Sequence, residues 1–448
     1  MRPRTFIWAG LVAVTGLGGV VTYTSTHGQP PLPAPKPLPP EVVAPAPIGP
    51  AAKGVVPASA AEAPRKPVPF DQYRKYDELP DLTRQIVFAT KLGMEWLSRD
   101  GIHQTTGRFV PGLNPALGKA TDDDHFLRQA LGAFALARSA KLTGEEKYAI
   151  RAGQTILSLL SETPKDPGNP AIRKPVQPSV ICNRAGAAAY LAMAIYELPD
   201  APADLLQTAE ELCQFLRLCL KADGSVQYAE AGESVDADGV NLYPGPVLNA
   251  LAMSHRAAPA AWKNEALARG LAYYRKYFQT APHPAFVSWM APAFAEMYGQ
   301  TRESPYAEFV FEMADWLRQL QYDSPDRARA AWRGGFPAVA GGKVVQTAPT
   351  VETAYAALAL ADACRMIRHM DRPDTARYDQ YRTTLTRALQ FLTTLQYGEE
   401  STQHFAAHFR PALVGAFHPS PTDGTLRVDH TAIAVAALSQ YLIAGADR

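Results

Sequence analysis

The sequence lacks an excess of either charge. It contains 44 Lys and Arg residues against 43 Asp and Glu residues. Proteins that bind nucleic acid usually carry a basic field, because much of their affinity comes from Lys and Arg contacts with phosphates. We therefore expect no nucleic-acid partner.

Cysteine is scarce, with four residues in the chain. None belongs to a CxxC pair, and Cys213 and Cys219 lie six residues apart on one predicted helix. That spacing separates their Cα atoms by about 9 Å, which is too far for a disulfide. We interpret all four as small core residues and predict no metal and no other cofactor, although the acidic loop 230–238 leaves calcium open as an alternative.

Three motifs of common enzymes are also missing. The chain has no GxSxG nucleophile motif, no phosphate-binding loop and no HExxH zinc motif. These absences remove the usual support for a serine hydrolase, a nucleotide-binding protein or a zinc peptidase.

The N-terminal part of the chain is typical of a targeting segment and a spacer. Arg2 and Arg4 precede an apolar run over 6–21, so we interpret residues 1–29 as an uncleaved signal anchor, with a cleaved signal peptide as the alternative. Residues 30–69 hold fourteen of the 39 prolines and favour an extended linker. We expect residues 70–448 to form one domain outside the cytoplasm, in the periplasm or cell envelope. It would meet the membrane through the N-terminal segment only, or be secreted if that segment is removed.

From residue 80 onward, two kinds of predicted helix alternate. The stretch 378–397 places Tyr378, Tyr381, Leu385, Leu389 and Leu392 on one face, which predicts a helix with its other side in water. The stretch 184–198, RAGAAAYLAMAIYEL, is apolar nearly all round and predicts a helix buried on every side.

We predict six pairs of helices on this pattern. Outer helices are expected near 80–99, 144–161, 203–221, 260–279, 304–321 and 374–396, and inner helices near 124–140, 182–197, 244–256, 285–299, 351–370 and 429–444. Most connections from an outer to an inner helix are long, and long loops in compact domains are usually functional. They would emerge where the inner helices begin.

A short pattern recurs before several of the inner helices. GRF at 107–109, DGSVQY at 223–228, GGF at 334–336 and GAF at 415–417 each follow an outer helix. The spacing varies, so these are not strict repeats, but they predict a repeated hairpin with an aromatic residue packed under the loop.

Six helical hairpins around a buried inner ring resemble the α/α-toroid folds. These include six-hairpin glycosidases, unsaturated glucuronyl hydrolases, sugar epimerases, many polysaccharide lyases and terpenoid-cyclase toroids. The resemblance covers residues 80–448 and is one of architecture. It implies an all-α, (α/α)6 fold with a funnel, which we define as the opening of the ring at the starts of the inner helices.

Ionisable and aromatic side chains cluster at those starts. Carboxylates in pairs perform acid and base chemistry at glycosidic bonds, arginines bind carboxylates, and aromatic rings stack on sugars. The candidate catalytic residues are Asp123, Asp124, Glu352, Asp429 and His430. The candidate substrate-binding residues are His125, Arg128, Asn183, Arg184, Tyr243, Trp289, Trp332 and Arg427. We also expect Asp429 to cap the helix that follows it.

This set of residues predicts an envelope-associated enzyme acting on a polysaccharide or oligosaccharide, possibly containing uronate, as hydrolase, lyase or epimerase. One alternative is a non-catalytic toroid that binds a glycan or a protein. Another is a terpenoid-cyclase-like enzyme, suggested by TDDDH at 121–125, although DxDD, DDxxD and the Gln–Trp repeats are missing.

Overall fold

The structure, a computed structural model, describes residues 79–99, 103–121, 124–178, 182–229, 238–323, 327–340 and 343–446. The predicted signal anchor, the proline-rich linker, Asp123 and nearly all of the acidic loop 230–238 lie outside these ranges. No helix among the described residues is both long and apolar enough to cross a membrane.

Twelve long helices form the described domain, and we number them α1 to α12 in chain order. The outer helices are α1 Asp81–Ser98, α3 Glu146–Leu160, α5 Ala203–Leu218, α7 Ala261–Thr280, α9 Ser304–Leu320 and α11 Thr375–Thr394. The inner helices are α2 Phe126–Thr143, α4 Arg184–Glu197, α6 Pro244–Ala257, α8 Pro284–Thr301, α10 Thr353–Arg368 and α12 Val428–Ile443. A single further turn, Gly239–Leu242, precedes α6.

Hydrophobic patterning explains why the helices occupy these two layers. In α11, Tyr381, Leu385, Leu389 and Leu392 are buried while Tyr378 is half-buried, which confirms the predicted face. In α4, nearly every residue from Ala185 to Glu197 is buried. An amphipathic helix can cover the outside of a ring, whereas an apolar one must be enclosed by neighbours.

The inner helices close into a ring. Each contacts the next in the order α2, α4, α6, α8, α10 and α12, and α12 contacts α2 again. The closure is reinforced where Gly112 in the first long loop pairs with Arg427 in the last. The predicted (α/α)6 toroid is therefore confirmed.

Short strands occur only within the long loops of the described chain. They are β1 Gly112–Asn114, β2 Lys119–Thr121, β3 Lys165–Asp166, β4 Asn169–Arg173, β5 Ala338–Ala340, β6 Lys343–Val345 and β7 Leu426–Arg427. They form antiparallel sheets in the orders β2-β1-β7, β3-β4 and β5-β6.

The recurring glycine pattern has one structural basis. Gly107, Gly224, Gly334 and Gly415 all have positive φ, between 82° and 101°. A Cβ on any of them would lie within 2.9 Å of a backbone oxygen in an outer helix, for example 2.3 Å from the Leu92 oxygen at Gly415. Only glycine fits both constraints without strain. The residues two positions later are buried, and at Phe109, Phe336 and Phe417 the buried residue is aromatic as predicted. In the segment 223–228 the buried residue is Val226 instead, and the aromatic Tyr228 is half-buried.

The four cysteines are free thiols. Cys182, Cys213 and Cys364 are buried and Cys219 is half-buried, so the predicted role in the core holds for the first three.

Candidate functional site

The N-terminal ends of the inner helices bring ionisable residues from distant parts of the sequence together. Glu352 stands at the N-cap position of α10, and Asp429 and His430 lie in the first turn of α12. Their charges act on one another and on Arg427. These residues stand at the end of the ring where the predicted funnel would open.

Asp429 is held by two arginines. Its carboxylate accepts hydrogen bonds from Arg427 at both oxygens, with 3.0 Å between Nε and Oδ1, and Arg128 Nε lies 3.9 Å from Oδ2. Burial raises the pKa of Asp429, but His430, Arg427 and Arg128 outweigh burial and hold the pKa below its ordinary value. Asp429 is therefore an ionised carboxylate at neutral pH.

This geometry corrects one sequence prediction. Asp429 does not cap α12, because Arg427 occupies the N-cap position. The Arg427 side chain makes no capping hydrogen bond either. The carboxylate faces Arg427 and Arg128 instead. A bidentate guanidinium bond is stronger than a neutral bond to a backbone N–H, which accounts for the preference.

Glu352 has the opposite electrostatic environment. Its side chain is accessible to water, yet protein surrounds it on most sides, as expected for a residue within a concave opening. Burial raises the pKa of Glu352, and although Arg427 lowers it, repulsion from Asp429 adds to the increase. The net shift is upward, so Glu352 retains its proton to a higher pH than an ordinary glutamate.

His430 lies beside Asp429 and is kept neutral. Burial lowers the pKa of His430 to about 4, despite attraction from Asp429. Its Nδ1 atom is buried and has no hydrogen-bond partner among the described residues. A neutral imidazole with an unused nitrogen can accept a proton or a hydrogen bond from a ligand.

Two tyrosines in the funnel were not predicted from the sequence. Tyr190 in α4 and Tyr355 in α10 come from opposite sides of the ring, and both interact electrostatically with Asp429. Burial raises the pKa of both hydroxyls, so they are neutral hydrogen-bonding groups. A tyrosine within the first two turns of an alanine-rich inner helix was the available signal, because a buried tyrosine hydroxyl usually has a hydrogen-bond partner.

Trp289 lies in the floor of the funnel. It is 3% exposed and packs edge-on against Tyr190 and Phe134, with 5.5 Å between ring centroids in each pair. The predicted contact between Trp289 and substrate would therefore require a ligand that reaches the floor.

Asp124, the described member of the acidic cluster before α2, is directed elsewhere. Asp124 accepts hydrogen bonds from Arg108 Nη1 at 2.9 Å and from Gln129 Nε2 at 2.7 Å. His125, rather than an aspartate, is the N-cap residue of α2, and its Nδ1 accepts from Leu127 N. These bonds occupy Asp124 without contact to Glu352 or Asp429. Asp123, the other candidate catalytic residue of this cluster, is outside the described residues.

The other predicted binding residues lie around the rim. Asn183 caps α4 through Gly186 N at 2.8 Å and donates to Tyr228 O at 2.8 Å. Arg184 donates through Nε to Gln177 O at 2.9 Å. The Tyr243 ring lies 5.9 Å from that of Tyr228.

Trp332 belongs to a loop between α9 and α10. Its ring centroid is 5.4 Å from that of Tyr322, and the guanidinium of Arg329 lies 5.1 Å from its centre. Because Arg329 covers one face, a sugar stacking on Trp332 would use the other. Among the described residues, no group of His, Cys, Asp and Glu is arranged to hold a metal ion.

Comparison with known proteins identifies the architecture. No protein-family model matches the chain, and a search of curated sequences finds no match. Among solved structures, the GH76A alpha-1,6-mannanase from a Salegentibacter species has a TM-score of 0.59 at 10% identity, covering 81% of this chain and 100% of that one. D-mannose isomerase has a TM-score of 0.58 at 12% identity, covering 82% and 100%.

An unsaturated glucuronyl hydrolase specific for heparin is similar over 80% of this chain and 97% of its own, with a TM-score of 0.54 and 12% identity. Inactive variants of the mannanase, with two aspartates replaced, were solved in complex with alpha-1,6-mannotriose and alpha-1,6-mannotetrose. At these identities the likeness shows the fold alone. The described domain of this chain is an α/α toroid of the six-hairpin type.

Proposed function

We propose that this protein is a carbohydrate-active enzyme, and that it hydrolyses a glycosidic bond in the funnel. The observation that carries the proposal is the pair Glu352 and Asp429, whose pKa values move in opposite directions. Two interacting carboxyl groups with separated pKa values are the arrangement that allows one to donate a proton while the other stays ionised. The fold is shared with hydrolases and isomerases of sugars.

Each carboxyl group has a role in the proposed reaction. Glu352 would protonate the oxygen of the leaving sugar, because its raised pKa keeps a proton available. Asp429, fixed by Arg427, would stabilise positive charge at the anomeric carbon or activate the attacking water. Tyr190 and Tyr355 would donate or accept hydrogen bonds with sugar hydroxyls near the floor.

The positions of three arginines bear on whether the sugar carries a carboxylate. Arg128 and Arg427 are directed at Asp429, whereas Arg184 lies at the rim beside Gln177. A uronate carboxylate would be recognised through Arg184 in addition to the contacts that this residue already makes, whereas a neutral sugar would need none of the three. Uronate-containing substrates remain part of the proposal for this reason.

A second candidate reaction is epimerisation or isomerisation of a sugar. The observation that favours it is His430, which is neutral and has an unpartnered Nδ1 beside Asp429. A neutral histidine can remove a proton next to a carbonyl group, which is the step that such reactions require.

One experiment separates these functions. The full chain would be incubated with alpha-1,6-mannan fragments, glucuronyl-terminated oligosaccharides, cellobiose and mannose, and products followed by mass spectrometry and NMR. Hydrolysis adds the mass of water, whereas isomerisation changes the NMR spectrum at constant mass. Binding without conversion of any sugar by wild type would favour the non-catalytic toroid.

We also propose that the domain is held outside the cytoplasm by its N-terminal segment. The support is the apolar run after Arg2 and Arg4, followed by the proline-rich stretch. Fractionation of cells expressing the full chain and a chain shortened to begin at residue 70 tests this. We expect only the full chain in the membrane fraction, and the shortened chain should remain folded.

A further inference from the structure

A second cavity lies at the end of the ring opposite the funnel. It has a volume of about 80 Å³ and is bounded by the C-terminal halves of the inner helices, with Trp289 in its wall. A single buried water needs about 10–15 Å³ of such volume. The cavity is therefore large enough for several waters or for an ion of several atoms.

Cations outnumber carboxylates in the wall of this cavity. The cationic residues are Arg138, Lys141, Arg256 and Arg365. The carboxylates are Glu197, Glu296 and Asp362. Four positive charges therefore face three negative charges.

The carboxylates are already satisfied by these cations. Glu197 is 2.8 Å from Arg138 Nε and 3.6 Å from Lys141 Nζ. Glu296 is 2.9 Å from Arg256 Nη1, and Asp362 accepts from Arg365 Nε at 3.0 Å. Burial raises the pKa of Glu197, but Arg138 and Lys141 outweigh burial and bring it to about 2, so its charge persists.

Arg138 has an unused donor. The residue is 8% exposed, its Nε binds Glu197, and its guanidinium lies 4.5 Å from the centre of the Phe134 ring. Its Nη1 has no hydrogen-bond partner among the described residues. A buried cationic N–H without an acceptor costs free energy, and an anion in the cavity would remove that cost.

We propose that this cavity binds a small oxyanion, such as inorganic phosphate or a low-mass carboxylate. Arg138 would supply the buried donor, and Lys141 and Arg256 would complete the site from the open edge, where their side chains are 44% and 42% exposed. The carbonyl ends of the inner helices also lie here and disfavour an anion. The one positive charge that the three carboxylates leave uncompensated offsets them in part, and we expect weak to moderate affinity. The proposal does not depend on the function of the funnel.

Thermal unfolding of the full chain tests the site. Sodium phosphate or sodium acetate would be titrated at an ionic strength held constant with sodium chloride. We expect a saturable rise in Tm with at least one anion, because a ligand that binds only the folded state stabilises it. A stronger response to phosphate or to acetate identifies the preferred class. A Tm that does not respond to either anion overturns the proposal.

Two lysine variants locate the binding. Lys141→Met should raise the half-saturating concentration by about tenfold, the loss expected for one charge-assisted contact. Lys147→Met is the matched control, since Lys147 is 46% exposed and pairs with Glu95 on the outer layer. An equal response of wild type and Lys141→Met would place the anion elsewhere and contradict the site.

A diffraction experiment gives an answer that does not depend on any variant. Crystals soaked in selenate should show an anomalous peak within hydrogen-bonding distance of Arg138 Nη1. An empty cavity, with selenate bound only at the surface or in the funnel, would overturn the assignment.

Discussion

The Asp429 carboxylate accepts two hydrogen bonds from the guanidinium of Arg427, two residues earlier in the chain. This pairing lowers the pKa of Asp429 and so keeps its carboxylate ionised. The ionised carboxylate acts electrostatically on Glu352. The pair is buried, with 20% of the Arg427 side chain and 9% of the Asp429 side chain exposed. Neutralising Asp429 therefore removes the carboxylate that Arg427 and Arg128 share.

Asp429→Asn should abolish the proposed hydrolysis and also destabilise the fold. We expect a loss of about 3 kcal/mol or more in the free energy of unfolding, because Arg427 and Arg128 lose their buried counter-charge. Urea denaturation measures this. Asp323→Asn is the control, since its partner Arg387 lies on the surface and the loss should be about 1 kcal/mol or less. Equal losses in both variants would show that Asp429 is not held as described.

Glu352→Gln should reduce turnover at least about 100-fold, as expected for loss of a general acid. Unlike Asp429→Asn, this substitution should not destabilise the fold at neutral pH. The pKa of Glu352 is higher in the folded than in the unfolded chain, so the wild type loses stability as pH rises above the ordinary value of 4.5. The variant should therefore be at least as stable as wild type at pH 7 and have no advantage below pH 4.5. A variant that is inactive because it unfolds would contradict this.

The lowered pKa of His430 predicts a second dependence of stability on pH. The imidazole titrates near pH 4 in the folded protein and near 6.5 when unfolded, so the unfolded chain binds more protons between these values. Wild type should lose on the order of 3 kcal/mol as pH falls from 6.5 to 4, at about 1.4 kcal/mol for each pKa unit. His430→Gln should lack this component, whereas the exposed His408→Gln should retain it. Identical pH profiles of stability for all three proteins would rule out a buried neutral His430.

Gly415 should be intolerant of any side chain. Its φ is 101°, and an added Cβ would lie 2.3 Å from the Leu92 oxygen in α1. Gly415→Ala should cost about 2 kcal/mol or more, since backbone strain and a steric clash combine. Gly153→Ala is the matched control, because it lies on outer helix α3 with no atom within 4 Å of the added Cβ. It should be neutral or stabilise by about 0.5–1 kcal/mol. A neutral Gly415→Ala would mean that the loop does not close the ring at this point.

The sequence predicted the two layers of helices well because burial alone determines their patterns. Helix α6, for example, was expected at 244–256 and spans Pro244–Ala257, since proline at its first position marks the start. The repeated glycines could also be recognised in the sequence, because a backbone with positive φ at these crowded positions requires glycine.

The side-chain contacts in the funnel were harder to predict from the sequence. Tyr190 and Tyr355 resemble ordinary core residues in an apolar helix, and only the closure of the ring shows that they meet. Asp124 appeared free to act in catalysis, but Arg108 binds it. The recurring glycine pattern at 107–109 predicts a turn there but does not predict which side chain Arg108 contacts. The cap predicted for Asp429 failed because a nearby arginine competes for the same carboxylate.

The proposed reaction requires a raised pKa of Glu352, which burial produces and repulsion from the ionised Asp429 increases. This requirement is tested most directly by carbon-13 NMR titration of the Glu352 carboxyl, assigned by its loss in Glu352→Gln. The account predicts that Glu352 titrates above the ordinary value of 4.5 in wild type and at a lower pH in Asp429→Asn, where the repulsion is removed. Titration at or below 4.5 in wild type, or a pKa that does not change when Asp429 is neutralised, would contradict it.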